Sequence, residues 1–180
     1  MPFLETPIPG LIVFEPRIFH DERGYFYESY NKRTWQEAGV VADFVQDNQA
    51  RSTMGVLRGL HYQTGEMAQA KLVRVLEGEV LDIVVDIRED SPAFGRWYGI
   101  RLSAENKRQM FVPRGFAHGY LVLSETAEFF YKCDNYYSQA HEGGIRYDDT
   151  TLNIDWSFDL SRVIVAEKDL ALPRFGEHRT

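Results

Sequence analysis

Residues 71–87 read KLVRVLEGEVLDIVVDI, and this stretch decides the fold class that the sequence predicts. Two apolar runs, residues 71–76 and residues 80–87, flank the short polar segment Glu77-Gly78-Glu79. Two such runs around a turn that contains glycine are typical of a β-hairpin. The stretch therefore predicts two antiparallel strands that pair with each other through a turn at Gly78.

The sequence on both sides continues the strand pattern. Further short β-prone runs occupy residues 11–14, 24–30, 97–102, 109–112, 119–123 and 128–132, and proline and glycine residues punctuate the chain between many of them. Many short strands divided by turns favour an antiparallel β-sandwich or barrel. We therefore expect an all-β domain with a few short helices.

A few segments depart from this pattern. Residues 32–39 predict a helix, for which Asn31 supplies an N-cap and Gly39 a stop. A second helical turn is expected near residues 166–170. Residues 134–149 are polar and contain two adjacent glycines, so we expect a long surface loop there.

Length, composition and charge limit the possible classes of protein. The chain has 180 residues, of which 44% are hydrophobic, and this suits one domain covering residues 1–180. Twenty Lys and Arg against 27 Asp and Glu give a net charge of −7, which disfavours general binding of nucleic acid. No apolar run reaches about 18 residues, so no membrane span is expected. Residues 1–5 lack the pattern of a secretion signal and Cys133 is the single cysteine, so we expect a cytoplasmic protein.

Two histidines stand in an informative spacing. The first motif contains Gly55, His61, Gln63, Lys71 and Gly78, and the second is PRGFAH at residues 113–118. This spacing resembles the two paired motifs of the cupin jelly-roll barrel, whose metal-binding members hold a divalent ion with three His and one Glu. The resemblance implies a cupin-type jelly-roll barrel or sandwich.

The sequence departs from the metal-binding cupin pattern at three positions. Gln63 stands in place of the second His, Lys71 in place of the Glu, and Val122 in place of the Asn of the second motif. A lysine ammonium group has no lone pair for a metal ion, and its charge repels a divalent cation at close range. We therefore expect no metal ion and no other cofactor.

A histidine and a lysine inside a barrel suit proton abstraction from a carbon next to a carbonyl. His61 would take the proton as a neutral imidazole, and Lys71 would stabilise the enolate oxygen. Reprotonation from the opposite face needs an acid. Residues 128–137 contain three tyrosines that are candidates for it.

Longer motifs extend the resemblance along the chain. They are DERGYFYE at residues 21–28, FVQDN at 44–48, LRGLHYQ at 57–63, LSAENKRQ at 102–109, GFAHG at 115–119 and FYK at 130–132. In this order they are similar to the dTDP-4-dehydrorhamnose 3,5-epimerase family, from about residue 7 to residue 173. The resemblance implies epimerisation at C3 and C5 of dTDP-4-dehydro-6-deoxy-D-glucose, in the synthesis of dTDP-L-rhamnose.

The same resemblance implies roles for individual residues. The catalytic set would be His61 as base, Asp169 as the carboxylate that orients it, Tyr131 as the acid on the other face, and Lys71 at the C4 oxygen. The residues that match substrate contacts are Arg23, Glu28, Gln46, Asn48, Arg58, His118, Tyr137, Glu142 and Lys168. The family is homodimeric, with N-terminal strands joining the neighbouring subunit's sheet. We therefore expect a homodimer in which residues 23–28 reach the partner's pocket.

One geometric difficulty concerns Arg58 and His61. These residues are three apart, so an unbroken strand would point them to opposite faces. A β-bulge at Gly59 would re-aim one of the two side chains. Alternatively, Arg58 serves a different wall or the neighbouring subunit.

Three other functions compete with a double epimerase. The first is an epimerase of a single carbon, or a ketoisomerase, of another deoxysugar pathway. The second is a metal-dependent cupin oxygenase, and the third is a sugar-binding cupin without catalysis. The combination of His61, Lys71 and Tyr131 favours epimerisation, because inversion needs a base and an acid on opposite faces.

Overall fold

The computed structural model describes residues 2–178, in which short strands predominate. The strands are β1 Phe3–Glu5, β2 Ile12–Phe14, β3 Phe19–Asp21, β4 Gly24–Phe26, β5 Gln46–Thr53, β6 Val56–Gln63, β7 Lys71–Glu77, β8 Glu79–Asp86, β9 Trp97–Ser103, β10 Gln109–Val112, β11 Phe116–Val122, β12 Thr126–Cys133, β13 Glu142–Gly144 and β14 Ile164–Val165. The helices are α1 Lys32–Glu37 and α2 Glu167–Leu170, with 3-10 turns at Gly65–Met67, Gln139–His141 and Leu160–Arg162. The predicted domain of residues 1–180 includes Met1, Arg179 and Thr180, which lie outside the described residues.

The strands form two main sheets and one small hairpin. The first sheet has the order β1-β2-β10-β7-β12-β5, and the second has the order β13-β6-β11-β8-β9 with β14 pairing to β6. Strands β3 and β4 pair only with each other. The main core lies between the two sheets and includes Val73 and Phe129 from the first sheet and Val84 and Val122 from the second. This is the all-β sandwich, with few and short helices, that the sequence predicts.

The predicted pairing of residues 71–76 with residues 80–87 is wrong. Strand β7 pairs with β10 and β12, whereas β8 pairs with β11 and β9 in the other sheet. The turn at Gly78 exists, with φ +74°, but it carries the chain from one sheet to the other. Each strand is hydrogen-bonded to a neighbour on both edges within its own sheet, and both strands bury one face in the common core.

Two further predictions need correction. The strand predicted over residues 24–30 ends at Phe26, and the segment that follows leads into α1. The surface loop predicted over residues 134–149 contains β13, which pairs with β6, and the segment is buried at Gly143, Gly144 and Ile145. Glycine has no side chain to signal a strand, which is why its pairing escaped the sequence pattern.

The predicted helices are confirmed. Helix α1 begins after Asn31, whose side chain accepts a hydrogen bond from the backbone N–H of Arg33, and it buries Trp35 against Phe3 and Phe14. Gly39 follows the helix with φ +85°. Helix α2 lies within residues 166–170. Among residues 2–178, no helix has the length and apolar character needed to cross a membrane.

The β-bulge predicted at Gly59 is confirmed. His118 on β11 pairs with His61 on β6, and Tyr120 pairs with Arg58. The paired positions are two residues apart on β11 but three residues apart on β6, so β6 contains one extra residue between them. Gly59 has φ +129°, and a Cβ atom there would lie 2.6 Å from Cα of Gly119. The bulge turns Arg58 and His61 toward the same side of the sheet.

Candidate active site

A cavity of about 560 Å³ is lined by residues of both sheets. The predicted site residues that line it are Arg58, His61, Lys71, His118, Tyr131, Tyr137, Glu142, Lys168 and Asp169. They come from both sheets, from the segment after β12 and from α2. The cavity size is in the range of small-molecule sites.

His61 and Asp169 form a hydrogen-bonded pair in the wall of the cavity. The His61 Nε2–H donates to Oδ1 of Asp169 over 2.7 Å, and the other carboxylate oxygen accepts from the backbone N–H of Gly59. The Asp169 side chain is 3% exposed and the His61 side chain 27%. Burial raises the pKa of Asp169, but the hydrogen bond and charge of His61, the backbone N–H of Gly59 and the charge of Lys168 together outweigh burial, and the pKa is lowered. The ionised carboxylate therefore fixes the orientation of the imidazole ring.

Lys71 lies at the start of β7, inside the cavity. Burial lowers the pKa of its ammonium group, and the charges of Cys133, Asp82 and Glu142 oppose that shift. Its Nζ lies 5.7 Å from the ring centroid of Tyr131. A cation in such a pocket stabilises negative charge that develops on a bound substrate.

Tyr131 faces His61 across the cavity. It lies on β12 of the first sheet, whereas His61 lies on β6 of the second. Burial raises the pKa of Tyr131 to about 12, so its hydroxyl stays protonated at neutral pH. A base on one sheet and a proton donor on the other is the arrangement that inversion of a carbon requires.

His118 belongs to a second His–carboxylate pair, deeper in the barrel. Its Nε2 atom lies 3.0 Å from each carboxylate oxygen of Asp82 on β8. The His118 side chain is 7% exposed and that of Asp82 is fully buried. His118 pairs directly with His61 in the register of β11 and β6.

Polar side chains are connected along the rim of the cavity. The Tyr137 hydroxyl donates to Glu142 over 2.9 Å, and Lys168 Nζ donates to the same carboxylate over 3.0 Å. The hydrogen bond to Glu142 raises the pKa of Lys168. The side-chain oxygen of Gln46 accepts from the backbone N–H of Tyr137, and Asn48 is hydrogen-bonded to Gln46. Gln46 and Asn48 therefore border the site without lining the cavity itself.

Arg58 brings a second cation to the cavity wall. Its Nε and Nη2 each donate to the Ser52 hydroxyl over 3.2 Å. Among the described residues, no ion pair joins its guanidinium group to a carboxylate. The group is therefore available for an anionic ligand.

Arg23 and Glu28 lie outside this cavity. Arg23 is on the turn between β3 and β4, where its side chain is 84% exposed and forms an ion pair with Asp21. Glu28 is exposed on the segment that follows β4. Within a single chain, these two predicted contacts do not meet the other site residues.

Two residues of the site were missed from the sequence. Tyr120 lines the cavity and stacks on Phe129 with a centroid distance of 4.1 Å, and Asp82 holds His118. The available signals were strand alternation from His118 to Tyr120 and a lone carboxylate in the apolar run VLDIVV. Within residues 2–178, no group of three or more His, Cys, Asp or Glu side chains is arranged to hold a metal ion.

Comparison with known proteins identifies relatives of this chain. The family model described as dTDP-4-dehydrorhamnose 3,5-epimerase matches residues 5–177. The protein of that name from Pseudomonas aeruginosa is 56% identical over 163 residues, which are 90% of this chain and 89% of the relative.

Solved structures agree with this match. The crystal structure of dTDP-4-dehydrorhamnose 3,5-epimerase from Elizabethkingia anophelis has a TM-score of 0.95 at 53% identity, covering 97% of this chain and 96% of that chain. A dTDP-6-deoxy-D-glucose-3,5-epimerase from Legionella pneumophila, in complex with dTDP-4-keto-L-rhamnose, has a TM-score of 0.93 at 49% identity, covering 97% and 93%. The cupin-type jelly-roll prediction is thereby confirmed. The match spans nearly the whole chain, and the protein belongs to the dTDP-4-dehydrorhamnose 3,5-epimerase family, an isomerase family.

Proposed function

We propose that this chain epimerises dTDP-4-dehydro-6-deoxy-D-glucose at C3 and C5 to give dTDP-4-dehydro-L-rhamnose, in dTDP-L-rhamnose synthesis. The observation that carries the proposal is the placement of His61 and Tyr131 on facing sheets, with Lys71 beside Tyr131. The C4 ketone acidifies both neighbouring carbons, so one cavity serves both inversions. No step requires a cofactor.

In this mechanism His61 removes the proton from the carbon next to the ketone. Asp169 supports the step because its negative charge stabilises the imidazolium that forms. The electron pair of the broken C–H bond moves into an enolate. The negative charge then resides on the C4 oxygen.

Lys71 stabilises that enolate oxygen through its ammonium charge. Tyr131 then donates its hydroxyl proton to the opposite face of the same carbon, which completes the inversion. The raised pKa of Tyr131 keeps this proton in place until the enolate accepts it. Proton exchange with solvent restores His61 and Tyr131 before the second carbon reacts.

The nucleoside diphosphate part of the substrate is anionic and aromatic, and the rim offers groups for both properties. Arg58 suits the diphosphate, because a guanidinium group donates in parallel to phosphate oxygens. The exposed ring of Tyr137 suits stacking on the nucleotide base. The further contacts we propose are Gln46, Asn48, His118, Glu142 and Lys168.

We also propose that the active form is a cytoplasmic homodimer. Phe19 and Phe26 pair across the β3–β4 hairpin and are 49% and 70% exposed. Apolar side chains exposed on a two-stranded hairpin are typical of a contact surface. Docking of this hairpin on a partner subunit would bring Arg23 and Glu28 to the partner's cavity.

The test is incubation of the protein with dTDP-4-dehydro-6-deoxy-D-glucose in heavy water, followed by NMR. We expect deuterium at both C3 and C5 and a product of the L-rhamno configuration. Deuterium and inversion at one carbon alone would identify a single-centre epimerase. A bound substrate that takes up no deuterium would contradict catalysis by His61 and Lys71. Activity that depends on one tightly bound metal ion per chain would favour an oxygenase.

A further inference from the structure

Asp82 is a fully buried carboxylate that the proposed mechanism does not use. It lies on β8 between Val80 and Val84, which belong to the core between the two sheets, so strand alternation points it into that core. Burial raises the pKa of Asp82, while His118 and Lys71 oppose the rise. A carboxylate in such surroundings is costly unless it is hydrogen-bonded and neutralised.

The hydrogen-bond partner of Asp82 is His118. The Nε2 atom of His118 lies 3.0 Å from both carboxylate oxygens, a symmetric contact that suits an ionised carboxylate. His118 in turn lines the cavity next to His61. Asp82 therefore lies one side chain behind the cavity wall and does not reach a bound sugar.

Lys71 points into the same interior from the other sheet, since Val73, two residues further along β7, belongs to the same core as Val80 and Val84. The titratable groups around Lys71 are Asp82 from β8, Glu142 from β13, Cys133 and Tyr131 from β12, and His118 from β11, which lines the same cavity. Strand β10, the other neighbour of β7, carries no titratable side chain. Asp82 and Glu142 are the two carboxylates whose charge favours the Lys71 ammonium group.

We infer that Asp82 is a positioning residue, which orients His118 and serves as the internal counter-ion that keeps Lys71 protonated. The inference rests on the proposed function, in which Lys71 must be charged to stabilise the enolate oxygen. Glu142 shares its charge with Lys168 and Tyr137 at the rim. The carboxylate of Asp82 has His118 as its hydrogen-bond partner and lies inside the barrel, where charges interact more strongly than at the surface.

The sign of the effect follows from the charges. Replacing Asp82 by neutral Asn removes a negative charge, so the pKa of Lys71 falls further below its ordinary value. Lys71 then loses its proton at lower pH, and the neutral amine no longer stabilises the enolate. The alkaline limb of the kcat profile therefore shifts to lower pH.

The experiment compares Asp82→Asn with Asp86→Asn. Asp86 is also fully buried and lies four residues further along β8, but its carboxylate binds Arg88 and Ser91. Both substitutions remove a buried charge from the same strand. We expect Asp82→Asn to move the alkaline limb down by about one pH unit or more, and Asp86→Asn to leave the limb where the wild type has it.

The conservative variant Asp82→Glu tests whether charge or shape is responsible. We expect Asp82→Glu to restore the alkaline limb to within a few tenths of a pH unit of the wild type. A limb shifted as far in Asp82→Glu as in Asp82→Asn would overturn the inference. So would an unshifted limb in Asp82→Asn, whatever its effect on kcat. If Asp82→Asn does not fold, an alkaline limb in Asp82→Glu that lies about one pH unit or more below that of the wild type overturns the inference by itself.

A measurement without turnover separates this inference from the proposed function. Acylation of Lys71 by limiting acetic anhydride, followed by mass spectrometry across pH, reports its pKa in the free protein. We expect the midpoint to fall in Asp82→Asn but not in Asp86→Asn. A wild type that epimerises while Asp82→Asn keeps the Lys71 midpoint would overturn the inference alone. A lowered midpoint in a protein that exchanges no C3 or C5 hydrogen would support the electrostatic role while the proposed function fails.

Discussion

His61 and Asp169 are 108 residues apart along the chain but only 2.7 Å apart in the fold. Spacing alone could not connect them, and the prediction of this pair depended on resemblance to a family. Asp82 shows the opposite case. Its position in an apolar strand was visible in the sequence, but its partner His118 lies on a neighbouring strand whose pairing with β8 no local pattern specified.

At Asp169, replacement by Asn removes the charge that stabilises the imidazolium and changes the hydrogen-bonding preference of His61. We expect kcat to fall about 100-fold or more. The matched control is Asp149→Asn, since Asp149 is as buried but holds backbone N–H groups outside the cavity. Steady-state kinetics with thermal unfolding of both variants would check this. Equal losses of activity in the two variants would point to stability as the cause.

At Tyr131, replacement by Phe removes the proposed acid but keeps the ring. We expect His61 still to exchange the substrate hydrogen with solvent, while inversion is lost or slowed by at least about tenfold. NMR in heavy water distinguishes exchange with retention from inversion. Tyr98→Phe is the control, because Tyr98 packs on the same core outside the cavity. Normal inversion in Tyr131→Phe would assign the acid to another group.

At the scale of elements, apolar and aromatic runs predicted strands β7 to β12 but not how they pair. Strands β5 and β6 were missed, and the polar sequence of β5, QDNQARST, carries no apolar run that would mark it. The two strands around Gly78 illustrate the limit. A glycine turn between apolar runs serves a hairpin and a crossing between sheets equally well. Strand β13 was missed for a different reason, since two of its three residues are glycines.

The bulge on β6 gives a prediction at this scale. Gly59→Ala would place a methyl group 2.6 Å from Cα of Gly119 and would impose φ +129° on alanine. The methyl group would also lie 2.9 Å from the backbone oxygen of His118. Because both of these atoms belong to the backbone, we expect a loss of about 2 kcal/mol or more in the free energy of unfolding. Arg58 and His61 would also lose their common orientation, so kcat/KM should fall.

The control for this prediction is Gly39→Ala, where φ is +85° and a Cβ would meet no atom within 4 Å. This variant measures how much a positive φ at alanine lowers the free energy of unfolding when no steric clash is added. Denaturant unfolding of both variants provides the comparison. Equal destabilisation by the two substitutions would mean that close approach of β6 and β11 does not require glycine.

At the scale of the whole molecule, the β3–β4 hairpin stands apart from both sheets. Lys107 Nζ lies 4.3 Å from the ring centroid of Tyr25 and donates to its hydroxyl over 3.1 Å, which ties the hairpin to the body of the protein. The remaining aromatic surface stays exposed in one chain. The site as described therefore lacks Arg23 and Glu28 unless a second copy supplies them.

Co-expression of two inactive variants tests this assembly. An Arg23→Ala chain keeps an intact cavity, and a His61→Ala chain keeps an intact hairpin. If hairpins are exchanged, each mixed dimer contains one complete site, and we expect activity to recover to about a quarter of the wild-type value.

The matched control combines His61→Ala with Tyr131→Phe. Both substitutions lie in the same cavity, so no mixed dimer contains a complete site and activity should stay at the level of the separate variants. Recovery in this control as well, or in neither mixture, would contradict completion of the site by the partner's hairpin.

The crossing at Gly78 has a consequence for assembly of the native state. Lys71 and Asp82 are close in sequence but belong to different sheets, so their opposite charges approach each other only when the two layers come together. A partly folded chain with one layer formed would leave each charge without its counterpart. The attraction between the two charges therefore stabilises the protein only after the two sheets have packed together. This dependence couples the folding of one sheet to the folding of the other.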